Sequence, residues 1–207
     1  MMFITFEGIE GSGKTTQLKY LHAYFKSRGQ ECIVTREPGG TEIGKKIRSI
    51  LLDPASKNIS PVSELFLYMA DRAQHVKELV IPALSAGKTV LCDRFFDATV
   101  VYQGYARGLE VKQIHRLHEL ILEGLKPDVT ILLDLPPKIG LSRAWAQIDN
   151  GKRDGVESRF EKEDLSFHKR VRAGYLELAR LEPQRFRVID ATREENKVHR
   201  DIIDALS

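Results

Sequence analysis

Between positions 8 and 15 the chain reads Gly8-Ile9-Glu10-Gly11-Ser12-Gly13-Lys14-Thr15, so that glycines, an ammonium group and a hydroxyl follow directly on an apolar run. The pattern is G-x-x-x-x-G-K-[ST], and its chemistry is that of a phosphate cradle. Glycines let successive backbone N–H groups turn inward where a Cβ would clash or forbid the dihedrals. A helix opening at Lys14 adds its free N–H groups and positive dipole end to the same anion. Lys14 can neutralise the β- and γ-phosphates, and the Thr15 hydroxyl can ligate Mg²⁺. Such a loop alone does not separate a kinase from a GTPase or an ATPase.

Two more stretches carry groups of the right type. In "VLCDRFFDATVVYQGYARG", 90 to 108, Asp93 ends an apolar run, where a carboxylate can hold Mg²⁺ through water, and Arg94 adds a cation beside it. In "TREPGGTEIGKKIR", 35 to 48, Pro38-Gly39-Gly40 marks a tight turn next to Arg36 and Glu37. A guanidinium at a sheet edge can grip a second phosphate group bidentately, which implies two nucleotide sites.

These groups need a scaffold, and the pattern of the chain supplies one. Short β-rich runs recur at 3 to 7, 31 to 36, 88 to 93, 128 to 135 and 186 to 190, several apolar on consecutive positions as in strands covered on both faces. Helical patterns fall between them: one opening at Lys14 and capped near Gly29, then 41 to 52, 62 to 86, 110 to 123, 137 to 147, 163 to 181 and 194 to 206. Strand-helix alternation predicts an α/β three-layer sandwich, a five-stranded parallel sheet with helices on both faces, of the P-loop NTPase kind. At 207 residues the chain is expected to form a single domain.

The segment "AQIDNGKRDGVESRFEKED", 146 to 164, interrupts a helical hairpin with polar residues and four cations, and reads as a solvated loop or a mobile basic lid. The net charge of +3 is too slight to argue for a nucleic-acid polymer or a membrane surface. Cys32 and Cys92 lie in apolar runs, which suits a reduced cytoplasmic setting, and no stretch approaches the ~20 apolar residues of a membrane span.

Taken together, "FEGIEGSGKTTQ", "TREPGGT", "ADRAQH" and "DRFFDATVVYQGYARG" resemble thymidylate kinases, in order and at that family's spacing, from Phe3 to about Thr192. The resemblance implies ATP-dependent phosphorylation of dTMP with Mg²⁺, in a homodimer whose interface could use 62 to 86 or 110 to 123. It implies that Gly8, Gly11, Ser12, Gly13, Lys14, Thr15 and Thr16 hold ATP, with Arg143 near its base or phosphates. Thr15 and Asp93 serve the metal, and Glu10 lies near the acceptor sugar and phosphate. By the same likeness Arg36 and Arg94 clasp the acceptor phosphate, Tyr68 stacks on thymine and Arg72 hydrogen-bonds the base. Thr99, Tyr102 and Gln103 complete base and sugar recognition, with Tyr102 crowding the place of a ribose 2′-hydroxyl. The lid, about 143 to 162, is expected to supply a transition-state cation, Arg153 first and Lys152 or Arg159 as rivals. Ala98 departs from the serine usual in the family. The other readings are a nucleoside or nucleotide kinase with a different acceptor, and a P-loop regulatory protein. A guanine-reading N-K-x-D is missing, the nearest string being "NKVH" at 196 to 199.

Overall fold

The computed structural model describes residues 1–151 and 155–206. Five strands form one parallel sheet: β1 Phe3–Glu7, β2 Cys32–Arg36, β3 Thr89–Asp93, β4 Val129–Asp134 and β5 Phe186–Asp190, in the spatial order β2-β3-β1-β4-β5. β1 is buried at every position because β3 and β4 flank it and helices cover both faces. The edge strands β2 and β5 leave Val34 and Val188 about half exposed.

The helices are α1 Lys14–Ser27, α2 Glu42–Leu52, α3 Pro61–His75, α4 Ile81–Ser85, α5 Phe96–Thr99, α6 Val111–Leu122, α7 Pro137–Asp149, α8 Leu165–Leu181 and α9 Glu195–Leu206. Most starts are encoded locally. The Thr41 hydroxyl accepts from Gly44 N at the head of α2, Ser60 accepts from Ser63 N ahead of Pro61 in α3, and Asp164 accepts from Phe167 N in α8. α1 differs: its capping position is Gly13, which offers no side-chain acceptor, so the first N–H groups of the helix stay available.

The expected helix over 62 to 86 is a continuous rod in which α3 passes through a π-helical turn, Val76–Val80, into α4. Pro82 lacks an N–H and its ring crowds the carbonyl four residues back, which a wider turn relieves. The segment from 96 to 106 is also helical, with α5 continuing as a π-helical turn Val100–Ala106. The sequence pattern does not announce it, since Thr99, Val100, Val101 and Gly104 are poor helix formers and burial overrides their preference.

Register places the chemistry. Arg36 pairs with Asp93 across β2–β3, and Phe6 with Asp93 across β1–β3, so the carboxyl ends of these strands finish level with the loop that follows β1.

Candidate active site

The loop between β1 and α1 has the bare backbone that its sequence requires. Gly8 sits at φ 138°, and a Cβ there would lie 2.5 Å from the Leu133 carbonyl oxygen. Lys14 arches back over the loop: its Nζ donates to the carbonyls of Gly8 (3.1 Å) and Ile9 (2.9 Å) and to Ser12 Oγ (3.2 Å). Burial, aided by the nearby Arg94 charge, pushes this ammonium down to about 8 against the pull of Asp93, Glu10 and Glu7. The Thr15 hydroxyl donates to Asp93 Oδ2 at 3.0 Å, which joins two hard oxygen donors at the head of α1.

Arg94 follows β3 in the left-handed region, at φ 67°, and its guanidinium turns in toward the loop. Nη1 donates to Gly8 O and to the Tyr175 hydroxyl, and Nη2 to Glu10 Oε1, each at 3.0 Å. Glu10 Oε1 also accepts from the Tyr102 hydroxyl at 2.5 Å, while Oε2 lies 3.2 Å from His168 Nδ1. Burial alone would raise the Glu10 carboxyl. The close approach of the His168 ring and the charges of Arg94 and Lys14 prevail and hold it well below the usual carboxylate range. Behind this pair, Glu7 accepts from Tyr175 and from Phe95 N, both at 2.7 Å, and burial beside Asp97 pushes it up to about 7.

A third group is built from β2, α3 and α6. Arg72 is 1 % exposed, and Nε donates to Glu37 Oε2 at 2.8 Å while Nη2 donates to Phe95 O at 3.1 Å. Its Nη1 lies 2.9 Å from His118 Nε2. Glu37 is anchored in turn, with Oε1 2.7 Å from His75 Nδ1 and the other ring nitrogen 2.8 Å from Thr35 Oγ1. Two turns nearer the start of α3, Glu64 accepts from Gln103 Nε2 (2.8 Å), Arg107 Nε (2.9 Å) and Arg159 Nη2 (2.5 Å).

All three arginines, Arg36, Arg72 and Arg94, line the same cleft of about 560 Å³ as Lys14. Phosphate-loop backbone forms one end of that cleft, and Tyr68, Thr99, Tyr102 and Gln103 contribute to its wall. It can hold an anionic group on main-chain amides at one side and another on guanidinium groups at the other.

Comparison with known proteins decides which chemistry this is. The family model described as thymidylate kinase matches residues 6–202. The chain belongs to the thymidylate kinase family. A protein of Desulfosudis oleivorans named thymidylate kinase is 57% identical over 205 residues, which is 99% of this chain and 96% of that one. Its counterpart in Desulforapulum autotrophicum is 55% identical over 100% of this chain and 91% of its own. The crystal structure of thymidylate kinase from Ehrlichia chaffeensis superposes with a TM-score of 0.77 at 33% identity, covering 99% of this chain and 97% of that one.

The sequence candidates within the described residues line the cleft, except Gly8, Arg143 and Arg159. Gly8 acts from behind the wall through its carbonyl, which accepts from both Lys14 and Arg94. Arg143, on α7, donates to Ala191 O (2.9 Å) and Thr192 O (3.4 Å) and so ties down the loop after β5. Arg153 and its rival Lys152 lie outside the described residues. The other rival, Arg159, is not presented to the cleft: it is 6 % exposed, paired with Glu64, bonded to the Leu51 carbonyl and stacked on Phe160. Ala98 lines the cleft beside Thr99.

Sequence reasoning passed over Glu64, Arg48 and Phe160. Glu64 stands four residues before Tyr68 on the same helix, a spacing that could have flagged it. Arg48 donates from Nε and Nη2 to Glu157 at 2.8 and 2.7 Å and from Nη1 to Pro38 O, fastening the turn Gly155–Glu157 over the cleft. Phe160, within the polar stretch, packs edge-on to Tyr102 with ring centroids 5.4 Å apart.

Proposed function

We propose that the protein transfers the γ-phosphoryl group of ATP to the phosphate of dTMP, giving dTDP and ADP, in the supply of deoxythymidine nucleotides. The observation that carries this reading is that Arg36, Arg72 and Arg94 share one cleft with Lys14. The loop from Gly8 to Thr16 holds the ATP phosphates with its amides and Lys14. Arg36 and Arg94 hold the acceptor phosphate, Tyr68 stacks on the thymine ring, and Arg72, Thr99 and Gln103 meet its polar edge. Tyr102 occupies the place a 2′-hydroxyl would need, and Glu10 fixes both Tyr102 and Arg94.

An ionised oxygen of dTMP is itself the nucleophile, so no strong general base is required. Its lone pair forms the new bond to the γ-phosphorus in line with the departing oxygen. The bond between that phosphorus and the β,γ-bridging oxygen breaks, and its electron pair stays on ADP. The protein contributes alignment and cations placed where charge spreads over the equatorial oxygens. Arg94, held on three acceptors, is one such cation, and Arg153 of the lid is assigned as the second. The hydroxyl of Thr15 and the carboxylate of Asp93, 3.0 Å apart, suit a hard cation that takes its other ligands from phosphates and water. Magnesium bound there supplies charge neutralisation of the phosphate oxygens.

The assembly is assigned as a homodimer, since Val62 and Phe66 on α3 and Leu120 on α6 are more than half exposed. No described helix is long and apolar enough to cross a membrane, and the setting is assigned as cytoplasmic. The decisive test offers ATP with dTMP, dUMP, dCMP, dAMP and thymidine in turn. Preferred turnover of dTMP is expected. Selective GTP binding with no acceptor phosphorylated would overturn the assignment.

A further inference from the structure

A guanidinium has five N–H donors and no acceptor. The 2.9 Å contact between Arg72 Nη1 and His118 Nε2 therefore has one sense: the arginine donates and the imidazole accepts. That fixes the tautomer of His118, with Nε2 bare and the hydrogen on Nδ1. Burial, with Arg72 and then His115 adding to it, pushes His118 down to about 2, so the ring stays a neutral acceptor at any working pH. Nδ1 is buried without a hydrogen-bond partner among the described residues, a cost the fold accepts while keeping the acceptor in place. The ring is also wedged: Phe96 lies 5.5 Å away between centroids, and α6 carries it against α3.

Arg72 is thus held on three sides, by Glu37 at Nε, Phe95 O at Nη2 and His118 at Nη1. One N–H on each terminal nitrogen remains for a ligand in the cleft that Arg72 lines. Such groups favour a ring carbonyl and oppose an amino group, which is the difference between thymine and cytosine at the pyrimidine 4-position.

We propose that His118 is a positioning residue for base selection, which by accepting from Nη1 sets the plane of the Arg72 guanidinium and so the preference for a carbonyl-bearing pyrimidine. His118 does not line the cleft, so it acts through Arg72 alone. The inference rests on the reading that Arg72 meets the base.

Steady-state kinetics on the full chain test it with His118→Leu, His118→Gln and Arg72→Lys, each with dTMP, dCMP and ATP as varied substrates. His118→Leu is expected to raise KM for dTMP about tenfold, the effect of losing one hydrogen bond to a charged group. KM for ATP should stay within about twofold, and the dTMP-over-dCMP preference should narrow by a similar tenfold. His118→Gln restores an acceptor near Nε2 and should recover most of both. Thermal melts of each variant separate loss of fold from loss of selection. If Arg72→Lys raises KM for dTMP while both His118 variants leave KM and base preference unchanged, the positioning role is overturned and the reading of Arg72 survives. If Arg72→Lys also leaves dTMP kinetics unchanged, the reading of Arg72 falls and this inference falls with it.

Discussion

Replacing Glu64 by alanine tests whether the wall of the cleft is held by shared charge. Glu64 is 1 % exposed and accepts from Arg107, Arg159 and Gln103. Arg107 keeps a second carboxylate, Glu163, at 2.7 Å, and is 19% exposed, so its loss is partial. Arg159 is 6% exposed and, of the partners named among the described residues, would keep the Leu51 carbonyl and the Phe160 ring. Breaking a buried pair by removing one partner costs about 3–5 kcal/mol, which for a chain of this size is a fall in Tm of roughly 10 °C. Scanning calorimetry at neutral pH reads it directly. Replacing Glu64 and Arg159 together by leucine should recover much of the loss, because a buried pair exchanged for apolar groups is close to neutral. The sign with pH is also set. Burial would raise the Glu64 carboxyl, but Arg159 and then Arg107 outweigh it and bring it below its ordinary 4.5. Its contribution is therefore complete above that value and disappears as pH falls through the lower, folded-state one. The gap between wild type and Glu64→Ala should be flat across neutral pH and close only in acid. A Tm shift below about 2 °C at neutral pH would refute the reasoning.

Lys14→Ala should lower kcat by more than about 100-fold with the melting transition retained, since the lost ammonium acts on developing phosphate charge; near-normal turnover by the folded variant would contradict this. Because the Lys14 ammonium is pushed down to about 8, kcat/KM for ATP should fall as pH rises through that value, and a flat profile would count against Lys14 as the phosphate partner. The same depression makes this group's contribution to stability grow, not shrink, between about 8 and the unfolded value of 10.5. Tyr102→Ala should narrow the preference for dTMP over its ribonucleotide counterpart by about tenfold in kcat/KM. Arg153→Ala should lower kcat by about 10³-fold, far more than it changes KM for dTMP, as expected of a cation used in the transition state.

The glycine-rich loop after β1, the five strands and the ends of β2 and β3 were legible because each is written in a few adjacent residues. Glycine spacing, apolar runs and a terminal Asp93 or Arg36 need no knowledge of the rest of the chain. The helix from 96 to 106 was not legible as one, since its β-branched and glycine positions contradict it locally and only packing against α8 and α6 settles it. The supports of the site were the least visible. Arg72 and His118 are 46 positions apart, and Glu64 and Arg159 are 95 apart, so nothing local signals either pair. The polar stretch after α7 read as solvated from its composition, yet Arg159 and Phe160 are buried because Glu64 and Tyr102 wait for them on other elements.

The loop after β1 and helix α7 meet backbone to backbone. A Cβ on Gly11 would fall 2.0 Å from the Gly140 carbonyl oxygen, and one on Gly140 would fall 2.4 Å from that of Glu10. Main chain presses on main chain here, with the Ile9 side chain packed alongside at Gly140, so the contact has little room to absorb a displacement. Helix α7 therefore has its first turn seated on the glycine-rich loop, and the spacing between that loop and the helix is fixed by two positions at which only glycine fits.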